Sequence, residues 1–471
     1  MRPAARVGRR TLLRATAAGA TALAAGCSGG TRSVQVAVVW STSELDRFRE
    51  VVAGYPAPVQ VISAGNDIDA FLRARHLAGT SPDVAILPRP GLVTEYAQRG
   101  WLSPVRPSTD YAVRVELSDL LMTEGERYGV WVKAAHKSLV WHLPSVLPAP
   151  PTTWDDLLRQ TRELAAGARR DGGPAPLAIG AADGWVLTDW FENVLADMAP
   201  GSYYALAQQG ADWQDKPVRD ALDRLAGLWS IGGAFVGGGR RALLTQYEES
   251  VIQVVHTKRA VMLLGADFTA DVVRPFRRGP EGPVTFRFPG THPGGGPLIV
   301  GGDAAVAFAD ARGGVELVEW LARADSFQPW LREGGYLSPN TNVSIASYTD
   351  GVGKQLATEM RAPGTLRFDL SDQLRGAFTG SDGVGIWRIM QGFFADVTDG
   401  VRAGEAIRRA TGLLASAARS AGAADEPGAG PRRAGGPRRR RSSPAWSGLS
   451  GGGGHVGPAA AGRGAARRAP R

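Results

Sequence analysis

Three short apolar runs, each followed by a stretch with helical periodicity, constrain this chain more than any other feature. Val34–Trp40 reads as a strand, Ser43 can N-cap a helix through Tyr55, and Val59–Ser63 is a second strand. Asp67–Ala78 is then a helix and Asp83–Leu87 a third strand. Strands that recur behind helical crossovers make a parallel sheet covered on both faces, so the class is α/β. Further on, Tyr128–Lys133 and Ser138–His142 read as the next strand pair. Pro150 to Asp156 opens a helix, with Thr153 and Asp156 in capping-box spacing. From about Leu187 to Val255 the chain is mostly helical; strands return at Arg259–Leu264, Val284–Phe288 and Pro297–Phe308, and three or four helices finish near Ala418. Roughly 390 residues between 27 and 424 exceed one ordinary core, so two domains are expected.

The ends have a different character. Residues 1–10 hold four arginines and no acid, and Leu12–Gly26 is mildly apolar with Arg14 as its only charge. This is the layout of an export signal peptide over residues 1–26, too short and too rich in Ala and Gly to span a membrane. Arg9-Arg10 followed by Thr11-Leu12-Leu13 resembles a twin-arginine signal. The only cysteine, Cys27, closes the segment in Leu-Ala-Ala-Gly-Cys, which resembles a bacterial lipobox with Ala24 where leucine is usual. Lipidation of Cys27 is expected, with residues 27–33 as a tether and the protein held on the extracytoplasmic face of the cell membrane. A single cysteine also forbids an intrachain disulfide, so any core rests on packing.

Residues 425–471 are mostly Gly, Pro, Ala, Arg and Ser, with RRRR at 438–441 and GGGG at 451–454. Such a composition buries too little apolar surface to order itself, so a disordered basic tail is expected; it reads as a frameshifted or mis-called end of a GC-rich gene. The net charge of +9 belongs to the ends. Residues 1–26 carry five arginines and residues 425–471 carry ten against Asp425 and Glu426, which leaves the body at −4. Basicity is therefore no argument for a nucleic-acid partner.

Seven motifs in the body carry a family resemblance. PDVAILPRPGLVTEYAQRGWLSPV (82–105), YGVWVKAAHKSLVWHLPSVL (128–147), PTTWDDLL (151–158), GWVLTDWFENVL (184–195), GGDAAVAFAD (301–310), GGYLSPN (334–340) and RFDLSDQL (367–374) follow one another in order. Together they resemble the extracellular solute-binding proteins of bacterial ABC importers, in the carbohydrate-binding subgroup distantly related to maltose-binding protein. The likeness covers about residues 34–418. It implies a two-lobed periplasmic-binding-protein-like (type II) fold with discontinuous lobes, 34–135 plus 300–338 and 136–299 plus 339–420. Hinge strands would join the lobes around an interlobe ligand cleft. It further implies a lipid-anchored, monomeric receptor without cofactor that captures a sugar, an oligosaccharide or glucoside-like ligand, and delivers it to ABC permease subunits.

In that architecture ligand sits at the carboxyl ends of strands. A sugar asks for planar hydrogen-bonding groups toward its hydroxyls and aromatic rings over its flat faces. Trp40 ends the first strand with Glu44 beyond it, Asp67 follows the second and Arg89 the third, in the proline-stiffened turn Leu87-Pro88-Arg89-Pro90-Gly91. Lys137 lies near the lobe crossover, and Trp185, Asp189 and Trp190 form the densest aromatic–acid cluster. Asp267 and Phe268 follow the strand 259–264. Asp303 sits inside the apolar run LIVGGDAAVAF, where an unpaired carboxylate is costly, and Gly301 and Gly302 before it allow close backbone approach. Trp40 and Trp190 also suit a core, and Asp67 a plain N-cap. Arg367, Asp369 and Asp372 read as structural, pairing at a helix start.

Enzyme signals are weak. GCSGG (26–30) and GLSGG (448–452) match G-x-S-x-G but lie outside any strand–turn–helix context, and Gly237–Gly239 lacks the Lys-Ser/Thr of a phosphate loop. The six histidines, at 76, 136, 142, 256, 292 and 455, are scattered, so no metal site is expected. An exported carbohydrate-active enzyme and a sensing or adhesion lipoprotein remain the alternatives. Glycerol phosphates or other polyols are open as ligands, since Arg89 suits an anion as well as a hydroxyl.

Overall fold

The computed structural model describes residues 33–424 apart from 66, 209, 277–281, 295, 363–365, 376–377 and 379–384. The export segment, Cys27 and the basic tail lie outside the described residues.

Val34–Val38 stands between Val59–Ser63 and Val84–Leu87 and runs parallel to both, as helical crossovers require. The crossover helices are Thr42–Val52 and Ile68–Leu77. The first begins one residue before Ser43: Ser41 is its N-cap residue and makes no side-chain cap bond. The long strand Leu298–Phe308 enters this sheet antiparallel to Val84–Leu87, because it arrives from the other lobe rather than over a helix. It also takes Val130–His136 and the short Leu102–Ser103 antiparallel and Leu366–Phe368 parallel, which makes a mixed sheet of seven strands. The second sheet has four strands, in the order Val284–Arg287, Leu139–His142, Ala260–Leu264, Ala175–Leu177. Its longest early helix, Trp154–Asp171, starts where Thr153 Oγ1 accepts from Asp156 N and stops at Gly172, whose φ of 73° is the left-handed C-cap that glycine adopts cheaply.

The strand pair expected at 128–133 and 138–142 is not a pair. Val130–His136 belongs to the first sheet and Leu139–His142 to the second, with Lys137 and Ser138 between them. Their hydrogen bonds go to another crossing segment instead of folding back in a hairpin. Lys137 N donates to Ile299 O at 2.9 Å, and Ser138 Oγ accepts from Ile299 N at 2.9 Å. A third crossing joins on the far side, where Asp369 N donates to Val300 O at 2.9 Å. Three chain segments thus pass between the lobes side by side, bonded edge to edge.

Each sheet has its own hydrophobic core. Phe48, Tyr96, Trp131 and Trp330 fill the first, and Trp190, Phe191, Trp229 and Phe394 the second. The expected return to the second lobe at 339 comes later. Val343, Tyr348, Leu356, Leu366 and Phe368 still pack in the first core, and Leu370 is in the second. The reason is pairing: Leu366–Phe368 finds its ladder on Leu298–Val300, so the chain stays with the first sheet until that ladder ends. Among the described residues no helix is long and apolar enough to cross a membrane.

Candidate functional site

Two lysines on the first crossing organise the junction between the lobes. Residues four apart on an extended segment face the same side, so Lys133 and Lys137 project together. Each gathers carboxylates.

Lys133 is buried, with Nζ 3.0 Å from Glu44 Oε1 and seated over the rings of Phe268 (5.1 Å) and Trp330 (5.8 Å). Burial disfavours its ammonium, but Glu44, Asp303 and Asp267 outweigh burial and hold its pKa above the usual lysine value. Burial pushes the carboxyls of Asp267 and Asp303 up to about 6, with Lys133 pulling the other way. Asp303 Oδ2 accepts from Trp40 Nε1 at 3.1 Å, and Asp267 Oδ1 accepts from His136 N at 2.7 Å. Trp40 is 3% exposed and packs edge-on against Phe48 and Trp330, so the same ring serves the core and orients Asp303. Asp267 comes from the second lobe, and Glu44 and Asp303 from the first.

Lys137 Nζ lies 2.5 Å from Asp369, 3.3 Å from Asp372 and 3.6 Å from Asp189. Burial opposes its charge, yet Asp189, Asp369 and Asp372 keep it protonated far above the ordinary range. Burial, then the neighbouring Asp369, raises Asp372 to about 7. Burial also raises Asp189 well above the usual carboxylate range, and its Oδ1 has no hydrogen-bond partner. Gly301 makes room for this lysine: a Cβ there would stand 2.7 Å from Lys137 Cε. A Cβ on Gly302 would meet Lys133 O at 2.9 Å.

Arg89 joins this second centre. It is 5% exposed, stands over the Trp387 ring at 5.8 Å, and its charge acts on Asp372. The turn that holds it is fixed by Pro90 at the start of Pro90–Gln98 and by Gly91, where a Cβ would lie 2.4 Å from Leu374 O. The half-buried rings of Trp185 and Phe268, with Tyr247 between them, link the two centres; their centroids are 4.8 to 6.1 Å apart. Lys137 Nζ is 6.0 Å from the Trp185 ring.

Two expected residues fall elsewhere. Trp190 is 1% exposed and packs against Phe288 in the second core, because a helix turns its next side chain about 100° away from Asp189. Asp67 is exposed and accepts from Ala70 N at 3.3 Å, capping its own helix; no hydrogen bond among the described residues joins it to either centre. One residue of the first centre, Lys133, is not singled out by the sequence. Lys133 hides within a continuous apolar strand, and a lysine there is itself a signal. The structural pairing expected of Asp369 and Asp372 at a helix start is present, since Asp369 accepts from Asp372 N at 2.9 Å, and both also stand against Lys137.

A further set of contacts closes one flank. Buried His136 meets Glu359 through Nε2 at 3.2 Å, and Arg287 Nη1 donates to the same carboxylate at 3.1 Å. The His136 hydrogen bond lowers Glu359 to about 2, and burial lowers His136 itself. Beside it a cavity of about 230 Å³ opens between Asp267, Ala270 and Val273 on one lobe and Gly335, Tyr336 and Leu337 on the other. A larger hollow of about 440 Å³, beside Arg169 and Lys258, is lined by none of the residues of either charged centre. Among the described residues no group of three or more His, Cys, Asp or Glu side chains is placed to hold a metal ion.

Two discontinuous α/β lobes, three crossings and a polar, ring-lined junction define a solute-binding architecture. The family described as bacterial extracellular solute-binding protein matches residues 46–353, and the chain belongs to it. It is 26% identical over 373 residues to the osmoprotective compounds-binding protein GgtB of Synechocystis sp., covering 74% of this chain and 85% of that one. It is 28% identical over 329 residues to the alpha-glucosides-binding periplasmic protein AglE of Rhizobium meliloti, covering 64% and 69%. The solved structure of the bacterial solute receptor AcbH superposes with a TM-score of 0.65 at 15% identity, covering 83% of this chain and 99% of that one.

Proposed function

We propose that this protein is a lipid-anchored receptor that captures a sugar in the interlobe cleft and delivers it to the permease of an ABC importer. The observation that carries the reading is the junction itself. Carboxylates drawn from both lobes, with the two lysines of the first crossing, flank the half-buried rings of Trp185 and Phe268, the set that hydroxyls and a pyranose face call for. Because each lobe supplies part of the set, a ligand touching both gains affinity in a closed arrangement and shifts the population toward it. The relatives' names favour an α-glucoside or an osmoprotective compound, and AcbH prefers β-D-galactopyranose. Tethering through Cys27 would keep such a receptor beside its transporter.

Titration calorimetry of the body with α-glucosides, galactosides and compatible solutes tests the binding step. Saturable binding without turnover of the sugar is expected; binding of none of them, or hydrolysis of one, sinks the reading. Metabolic labelling with an alkyne fatty acid, lost in Cys27→Ser, tests the anchor.

A further inference from the structure

We infer that the cleft sorts solutes by charge, taking neutral or amine-bearing sugars and turning away their carboxylate- and phosphate-bearing analogues. The inference rests on the receptor reading above and narrows its ligand class.

Among the described residues, seven carboxyl side chains stand around the two lysines, Glu44, Asp189, Glu192, Asp267, Asp303, Asp369 and Asp372, against three cations, Lys133, Lys137 and Arg89; burial favours the neutral form of Asp189 and Glu192, and the other five still outnumber the cations. None of the three is available to a ligand anion without taking it from an acid. Lys133 is 3.0 Å from Glu44, Lys137 is 2.5 Å from Asp369, and Arg89 lies over Trp387 with its charge on Asp372. Arg89, the residue that by sequence alone suits an anion, is therefore spent inside the protein. An incoming carboxylate or phosphate would meet an excess of like charge in a poorly hydrated site, where repulsion is weakly screened.

The demand runs the other way as well. Asp189 is 2% exposed, and its buried Oδ1 stands 3.6 Å from Lys137 Nζ, within ion-pair reach but without a hydrogen bond. Trp185 sits one helical turn before it, so ring and carboxyl share a face of the same helix. That pairing suits a ligand with a flat face and a hydrogen-bond donor at its edge. A hydroxyl satisfies it, and an ammonium there is further attracted by the ionised carboxylates of Asp369 and Asp303 around the junction.

Matched sets built on glucose, galactose and a methyl α-glucoside test this: the parent, its 2-amino form, its uronate and its 6-phosphate, titrated against the protein at pH 7.5. The amino form is expected to bind at least as tightly as the parent, and both anions weaker by about tenfold or more. Asp303→Asn should narrow the gap between parent and uronate, whereas Asp67→Asn, on the exposed helix cap, should leave it. Anions that bind as well as their parents overturn the inference while the receptor reading stands. No binding anywhere in the sets overturns the sugar-receptor reading itself.

Discussion

Lys137 and Asp369 join two different crossings of the lobe junction, Nζ to Oδ2 at 2.5 Å, with the carboxylate fully buried. Asp372 and Asp189 crowd the same ammonium, so removing the lysine leaves Asp369 without its countercharge and Asp372 with that of Arg89 alone. Lys137→Met should cost about 3–5 kcal/mol in urea unfolding. Adding Asp369→Leu should recover part of that loss. A double variant as unstable as the single one would show the pair to be incidental.

Gly301→Ala and Gly302→Ala separate two kinds of crowding. At 301 the new methyl meets the flexible Lys137 side chain; at 302 it meets the Lys133 carbonyl and the Trp131 ring, at 2.9 and 3.0 Å. Overpacking of this sort costs about 1–3 kcal/mol. The Gly302 variant should melt lower than the Gly301 variant by calorimetry, because backbone cannot step aside.

Trp185→Ala and Phe268→Ala should weaken sugar binding by about ten- to a hundredfold, while the unliganded melting temperature moves little. Both rings are only half-buried and lie at the edge of the second core. Unchanged affinity in both variants would move the ligand away from this junction.

Asp267 and Asp303 have folded pKa values of about 6, above the usual carboxylate value near ~4. The native state therefore holds protons that the unfolded chain releases. That contribution is complete below about pH 4 and is lost as pH rises through 6. Glu359, lowered to about 2, works in the opposite sense and loses its contribution as pH falls from about 4 through 2. The slope of melting temperature between pH 5 and 7.5 should flatten in Asp303→Asn. An identical slope in the variant would contradict the burial of this carboxyl.

Much of the first sheet is legible locally, since an apolar run between capping and turn signals needs no distant information. The crossings are not. From Val130 to His142 the chain is extended almost throughout; the polar trio His136-Lys137-Ser138 interrupts it where one sheet gives way to the other, but a polar interruption alone reads equally as a hairpin turn. That choice belongs to Ile299, some 160 residues away, which bonds Lys137 and Ser138. The site divides the same way. Trp40, Arg89 and Asp267 follow strands, and strand ends are readable. Trp190 misleads because sequence adjacency to Asp189 says nothing about which way a helical side chain turns. Lys133 escapes because its partners, Glu44 and Asp303, are brought to it by the fold alone.

The three crossings bonded edge to edge carry one more consequence. Segments tied side by side through Lys137–Ile299 and Val300–Asp369 resist shear and separation, so bending about a single line is the softest freedom left between the lobes. If a solute fills the junction as proposed, its presence would be translated into an angle, and an angle is legible from outside. A membrane partner gripping only the two outer surfaces could register a full receptor without touching the solute inside.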